Sequence, residues 1–289
     1  MLKFNSNAVK NLNNTKSSNF QINWRLKVDL GLKGKRAIIT GASRGIGKAC
    51  ALALAAEGAQ VCITARNQKL LAEIQRDIHL SLGKCIFMAA DLTELSECKK
   101  VVDYCSNDFG GIDILINVAG AAGGGDILDL ATESITDALS LKSYGYLRMS
   151  QLVVPHMKKN HWGRVVNIAG AAGVSPNRAN LPTSVANAMV LNTTRALSDA
   201  VSKDGILVNV ICPGITNTER ARDIHKVRAD KEGVNIEELL VQLGEGLPAG
   251  RIAEPYEIAN VACFLSSEVC SYVYGSSIYM DGGSRRSTP

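Results

Sequence analysis

The sequence predicts an α/β fold, a doubly wound parallel sheet of seven strands with helices on both faces, and three observations predict it. From Lys35 onward, short β-branched runs alternate with helix-patterned stretches, the order that builds a parallel sheet from βα units. The strand runs are apolar throughout, as in strands covered on both faces. The first run leads without a break into a glycine-spaced turn that opens a helix, a context that gives such a turn meaning.

The elements follow in order. RAIIT (36–40) precedes a helix through KACALALAAEG, and QVCITA (60–65) precedes one through KLLAEIQRDI. KCIFMA (84–89) leads to TELSECKKVVDYCSNDF, and DILINV (113–118) is the fourth strand. RVVNIA (164–169), ILVNVI (206–211) and SSIYM (276–280) complete the sheet. Residues 29–289 thus read as one domain. The longest stretch without a strand, 213–275, starts with the charged TERARDIHKVRADKEGVNIEELLVQL. Ligands of open α/β sheets sit beyond the carboxyl ends of the strands, so residues 215–250 are expected to form a substrate lid.

Composition sets the bounds. The 289 residues are 46% hydrophobic, enough for a sizeable core, and no apolar run reaches the ~18–20 residues of a membrane helix. The net charge of +5 sits in residues 1–28, where Lys3, Lys10, Lys16, Arg25 and Lys27 meet no acid. The rest balances at 27 basic against 27 acidic residues, with no basic block or interleaved aromatics to suggest nucleic acid. The Asn/Ser-rich extension reads as flexible, or alternatively as an organelle transit segment. Eight cysteines (50, 62, 85, 98, 105, 212, 263, 270) form no CxxC pair and read as small buried hydrophobes of a reducing compartment. That points to the cytoplasm, or to an organelle matrix if residues 1–28 are a transit signal. The four histidines (79, 156, 161, 225) share no metal-ligand spacing, so no metal is expected.

TGASRGIG (40–47) places Gly41, Gly45 and Gly47 between the first strand and the first helix. A pyrophosphate needs such a turn, with close backbone approach and a helix N-terminus facing it. At the end of the second strand, where a site preferring NAD sets an acid against the ribose hydroxyls, stand Ala65 and Arg66. Without a carboxylate to repel it, a 2′-phosphate can pair with Arg66 and with Arg44 of the glycine turn. NADP(H) is expected over NAD(H).

With these residues in view, the chain from about Asp29 to Gly283 resembles the compact branch of the short-chain dehydrogenase/reductase family, near the 3-oxoacyl-acyl-carrier-protein reductases. TGASRGIG looks like its cofactor loop, to which Ser43 and Ile46 also belong; AADLT resembles the third-strand end, with Asp91 and Leu92 near the adenine. NVAG (117–120) stands for NNAG and supplies Asn117, Ala119 and Gly120. CPGITNT places Pro213, Gly214 and Thr218 near the nicotinamide, and GRIAEPYEIA and YMDGG resemble the C-terminal signatures. The resemblance implies a Rossmann-type fold, NAD(P) binding, carbonyl reduction by an Asn-Ser-Tyr-Lys set, and a homo-oligomer, dimer or tetramer, packed through helices near 133–160 and 182–203.

The catalytic set is where the chain departs from the family. Aligned on VVNIAG, Gly170 stands for Ser, Thr183 for Tyr and Asn187 for Lys; aligned on LSLKSYGYLRMSQ, Lys142 stands for Asn. No Y-x-x-x-K occurs in residues 165–205. A phenol near pKa ~10 can be tuned toward neutrality by an adjacent ammonium, whereas a Thr hydroxyl cannot. Lys142, with Tyr144 two residues on, is the candidate replacement donor, and Thr183 with Ser184 the candidate carbonyl polarisers. Asn187 retains a place by the nicotinamide ribose, and Arg178 reads as a surface residue or an anchor for a substrate anion. The leading expectation is an oxidoreductase acting on a small carbonyl/hydroxyl, imine or enone substrate with an unusual proton donor. The alternatives are an NADP(H)-binding pseudoenzyme serving as sensor or partner subunit, and a lyase or isomerase on the same fold.

Overall fold

The computed structural model describes residues 28–81, 83–120, 126–176 and 178–286. Apart from Val28, the basic extension lies outside them. Seven strands, β1 (Arg36–Thr40), β2 (Gln60–Ala65), β3 (Lys84–Ala89), β4 (Ile114–Asn117), β5 (Gly163–Ile168), β6 (Ile206–Pro213) and β7 (Ser277–Met280), form one sheet in the order β3-β2-β1-β4-β5-β6-β7. Every pairing is parallel. Helices α1 (Gly45–Ala56), α2 (Gln68–Leu80), α3 (Leu95–Phe109), α4 (Glu133–Ala138), α5 (Gly145–Lys159), α6 (Leu181–Val201), α7 (Glu219–Glu232), α8 (Ile236–Glu245) and α9 (Pro255–Ser266) complete the order.

Strand side chains alternate between two cores, which is why the strand runs had to be apolar throughout. Ala37, Ile39, Val61, Ile63, Ile114 and Ile116 face one layer with Leu54 of α1, Leu71 of α2 and Ile258 of α9. Ile38, Cys62, Leu115 and Val165 face the other with Val101 of α3, Met149 of α5 and Val201 of α6. All eight cysteines are buried and unpaired, and none of the described helices is long and apolar enough to cross a membrane.

β4 is shorter at both ends than the run 113–118. At its start the Asp113 carboxylate accepts hydrogen bonds from the Arg36 backbone N and guanidinium (2.9, 2.7 and 2.6 Å). Val118 N and Ala119 N leave the ladder to donate to the Thr40 hydroxyl (3.0 and 3.2 Å). Order reverses around β1, whose neighbours are β2 and β4, so a crevice opens beyond the carboxyl ends of β1 and β4. The helix expected over 133–160 is interrupted: α4 passes through a π-helical turn, Leu139–Tyr144, before α5. Such wider turns often mark functional positions, and this one carries Lys142.

Candidate active site

A cleft of about 1620 Å3 lies in that crevice. Its phosphate end is shaped by the turn after β1. Gly41 has φ +63°, and a Cβ there would fall 2.7 Å from the Ala119 backbone, so only glycine lets the two strand ends approach. Gly47 lies behind the turn rather than on the cleft wall; a Cβ there would sit 2.2 Å from the Gly41 carbonyl oxygen. Arg44 occupies the N-cap of α1 in extended conformation without a side-chain cap, which leaves the first N–H groups of the helix for a ligand. Its guanidinium pairs with Asp223 of α7 at 3.6 Å.

At the adenosine end, Ala65, Arg66, Asn67 and Lys69 line the wall, and Arg66 and Lys69 are exposed. Asn67 caps α2 by accepting from Leu70 N at 3.2 Å. Lys69 was not anticipated; its sequence signal is a second cation three residues after Arg66, on the first turn of α2. Leu92 lines the cleft; Asp91 is not among the lining residues, and its Oδ1 accepts from Thr93 N and Oγ1 (3.0 and 2.9 Å).

The other end of the cleft collects the four positions that the sequence sets against the family's catalytic residues. Lys142, Gly170, Thr183 and Asn187 all line the cleft, with Gly120, Pro213, Gly214 and Thr218 around them. The Lys142 ammonium donates to the Ala169 carbonyl at 3.1 Å, and its stem packs against Gly120, where a Cβ would be 3.3 Å from Lys142 Cδ. Burial pushes Lys142 down to about 7, and the positive charge of Arg220 pushes in the same direction. Gly170 is in extended backbone, so its conformation does not require glycine; a Cβ would lie 2.9 Å from Asn187 Nδ2, so a larger residue there makes the Asn187 side chain shift. Asn187 is buried, and its Oδ1 is a buried acceptor without a partner, a costly state that a ligand donor would relieve.

Three further positions are corrected. Asn117 is buried behind the wall, donating to Asn167 Oδ1 at 3.0 Å, while Asn167 donates to Thr194 Oγ1 at 2.9 Å; it ties β4 to β5 and α6 rather than facing a ligand. Tyr144 points outward at 41% exposure. The tyrosine beside Lys142 is instead Tyr146, missed from sequence: it is buried, its hydroxyl donates to the Ile168 carbonyl at 3.1 Å, and Lys142 Nζ lies 5.9 Å from its ring centroid. Burial pushes its phenol well above the usual range, so it is no proton source. The Ser184 hydroxyl donates to Asn180 O at 3.0 Å inside α6, leaving Thr183 as the hydroxyl on the wall. Arg178 pairs with Asp126 and does not line the cleft. On the lid side, Thr218 caps α7 by accepting from Ala221 N at 3.2 Å, and Arg220, two residues on, faces the cleft. No group of three or more metal-binding side chains occurs among the described residues.

Sheet order, glycine turn and crevice define a doubly wound nucleotide-binding fold, and the comparisons name the class within it. The family model described as enoyl-(acyl carrier protein) reductase matches residues 41–285. A 3-oxoacyl-(acyl-carrier-protein) reductase of Vibrio cholerae is 32% identical over 254 residues, 88% of this chain and 98% of that protein. A D-beta-hydroxybutyrate dehydrogenase of Cupriavidus necator is 32% identical over 256 residues, 87% and 98% of the two chains. The solved structure of L-sorbose reductase from Gluconobacter frateurii, complexed with NADPH and L-sorbose, superposes with a TM-score of 0.86 at 31% identity, covering 90% of this chain and 100% of that one. The chain belongs to the short-chain dehydrogenase/reductase family, a family of oxidoreductases that includes NADPH-dependent reductases.

Proposed function

We propose that this protein is an NADP(H)-dependent oxidoreductase that reduces a carbonyl, imine or enone, with Lys142 as the proton donor where relatives use tyrosine. The observation that carries the reading is the Lys142 ammonium at the end of β5, held by Ala169 O at 3.1 Å beside Gly170, Thr183 and Asn187. An ammonium has three protons to donate, and one is engaged by Ala169. A group brought to about 7 is matched to proton transfer near neutrality; a threonine hydroxyl is not.

The residues present fit a dinucleotide. The Gly41 cradle, the open N-terminus of α1 and the orphaned Asn187 Oδ1 supply backbone approach, N–H groups and a ribose acceptor. Arg66, Lys69 and Arg44 give the 2′-phosphate its cations, which favours NADP(H). When bound, the reduced nicotinamide supplies the hydride. Thr183 donates a hydrogen bond to the acceptor oxygen, Lys142 delivers the proton there, and α7 with α8 serves as the lid over the site. A homo-oligomer is the assembly carried by this reading.

The test is NADPH consumption over a panel of carbonyl compounds. Lys142→Met is expected to lower kcat by ~10²-fold or more while leaving NADPH affinity within a few fold; unchanged turnover refutes the role. One observation favours a second reading: no tyrosine lines the cleft among the described residues. An NADP(H)-binding protein without turnover then remains, signalled by tight NADPH binding with an inactive panel.

A further inference from the structure

The cleft changes character along its length. Arg44, Arg66 and Lys69 stand at the glycine turn and the end of β2. Around Lys142 the wall is carried by Leu141 of the π turn, Ala171 and Ala172 after β5, Ile215 after β6, Ile224 of α7 and Leu247 after α8. All six keep contact with solvent. Leu141 also leans on the core, whereas the other five belong to none of the core clusters among the described residues. An apolar side chain that serves no core and faces a cleft leaves its surface in water until a ligand covers it. Ile224 is the clearest case, 49% exposed while lining the cleft from the lid.

Charge near this end is already engaged. Asp281 accepts from Gly283 N at 3.0 Å and from Arg285 N at 3.1 Å. Glu219 reaches over the glycine turn, its Oε2 4.0 Å from where a Cβ on Gly45 would be. Arg220 has its own interaction within the protein and stands at the boundary, feeling Arg44 and Asp223 on one side and acting on Lys142 on the other. The polar lining side chains past Lys142 and Thr183 include Ser175, Asn180 and His225. All three are neutral at pH 7, His225 because burial and the Arg228 charge lower it.

The segments that flank the mouth are apolar as well. Val174, which follows the turn holding Ala171 and Ala172, is exposed, and so are Ile127 and Leu128 after β4. Ile127 N donates to Arg178 O at 3.0 Å, and Arg178 pairs with Asp126. These contacts fasten the segment after β4 to the one that leads into α6, where Asn180 and Thr183 line the cleft. A lone exposed apolar residue needs no explanation, but several on two joined segments beside an apolar wall do.

We propose that the cleft takes an uncharged carbonyl compound with a compact apolar body, a ring system rather than a polyol or a carboxylate, and that Ile224 is the side chain that selects it. The alanines keep the wall low, so the width suits a ring, and a thread-like chain would leave Ala171 and Ala172 uncovered. Lys142 and Thr183 meet the carbonyl oxygen, while Ile224 and Leu247 cover the ring from the lid. The inference rests on the oxidoreductase reading, because that reading makes the Lys142 end the place where the carbonyl lies.

The experiment uses the full chain saturated with NADP+, which cannot reduce a ketone, and compares 4-tert-butylcyclohexanone with 4-oxocyclohexanecarboxylate by calorimetry. The two share ring and carbonyl and differ in an apolar against a charged group. The wild type is expected to bind the tert-butyl ketone at least ~10-fold tighter. Ile224→Ala should weaken that ketone by about 10-fold while changing the Kd for the carboxylate and for NADPH less than ~3-fold, and Ile224→Leu should retain the preference. Equal binding of the two ketones, or tighter binding of the carboxylate, by a protein that does bind NADP+ overturns the proposal. So does an Ile224→Ala variant that loses both ketones and NADPH alike, which makes the side chain structural. A protein that binds no dinucleotide removes the oxidoreductase reading first, and this proposal with it. NADPH oxidation with the same ketones separates the two: turnover of neither, with the binding preference intact, counts against the oxidoreductase reading alone.

Discussion

The environment of Lys142 makes a prediction that needs no substrate. Burial and the Arg220 charge bring this lysine from 10.5 to about 7, while in the unfolded chain it stays near its usual ~10.4. Between those values the unfolded state binds one more proton than the folded state, so unfolding free energy rises with pH. Below about pH 7 both states are protonated and the folded state bears the whole cost of the charge. For a sealed group that difference corresponds to roughly 5 kcal/mol; the side chain keeps partial contact with cleft water, which reduces it to about 2–3 kcal/mol. Methionine fills a similar volume without the charge and forfeits the hydrogen bond to Ala169 O, worth about 1 kcal/mol. Lys142→Met should therefore be more stable than the wild type by about 1–2 kcal/mol at pH 6, and the advantage should vanish or reverse by pH 9. Urea denaturation of both proteins without cofactor at pH 6, 7, 8 and 9 reads this directly, since groups titrating alike in both cancel in the difference. A stability difference that does not change between pH 6 and 9 would falsify the claim that this ammonium is desolvated.

Four other outcomes follow from the geometry. The kcat/KM for reduction should decline with a slope near −1 in its logarithm above pH 7, as Lys142 of the free enzyme loses the proton it donates; a flat kcat/KM profile to pH 9 would assign the proton to another group. Gly170→Ser brings a Cβ to 2.9 Å from Asn187 Nδ2 and should cost about 1 kcal/mol, with Asn187→Ala relieving it in a double-mutant cycle; purely additive effects would contradict the contact. Arg66→Ala should weaken NADPH binding by ~10-fold and leave NADH unchanged, and equal losses for both would contradict a 2′-phosphate role. Asp113 is raised by burial, but its hydrogen bonds from Arg36 prevail and its carboxyl is held below the usual range. Its contribution is present above pH 4 and lost on acidification, and Asp113→Ala should cost about 3 kcal/mol by leaving Arg36 without its partner; a midpoint shift in urea that is no larger at pH 7 than at pH 3 would contradict this.

The strand list and the glycine turn were legible because each is a local pattern. Apolar runs of β-branched residues, spaced by helix-patterned stretches, admit a parallel sheet and little else, and the chain forms it with β2 and β3 in their expected bounds. The four positions set against the family's catalytic residues were legible for the same reason: they stand at fixed spacing from β5 and from Ser150-Gln151 within α5. Spacing along the chain does not say which way a side chain turns once strands pair. Asn117 and Asp91 fall at the expected places, yet the first is buried with its Nδ2 donating to Asn167, and the second has its Oδ1 engaged by Thr93. The π turn also resisted reading, since an extra residue in a helical turn depends on what packs against it, and it is Tyr146 and not Tyr144 that stands beside Lys142.

The sequence by itself determined that this chain is a doubly wound sheet with a nucleotide turn and that no Y-x-x-x-K occurs in residues 165–205, because both facts depend only on residue type and spacing. The tertiary structure decided what Lys142 is. A lysine on a polar helix turn reads as a solvated charge until α6, the end of β5 and the first turn of α7 close around it. Desolvation and the positive charge of Arg220 are properties of that enclosure, contributed by segments distant in the chain, and they lower this ammonium toward neutrality, the property on which its proposed role rests.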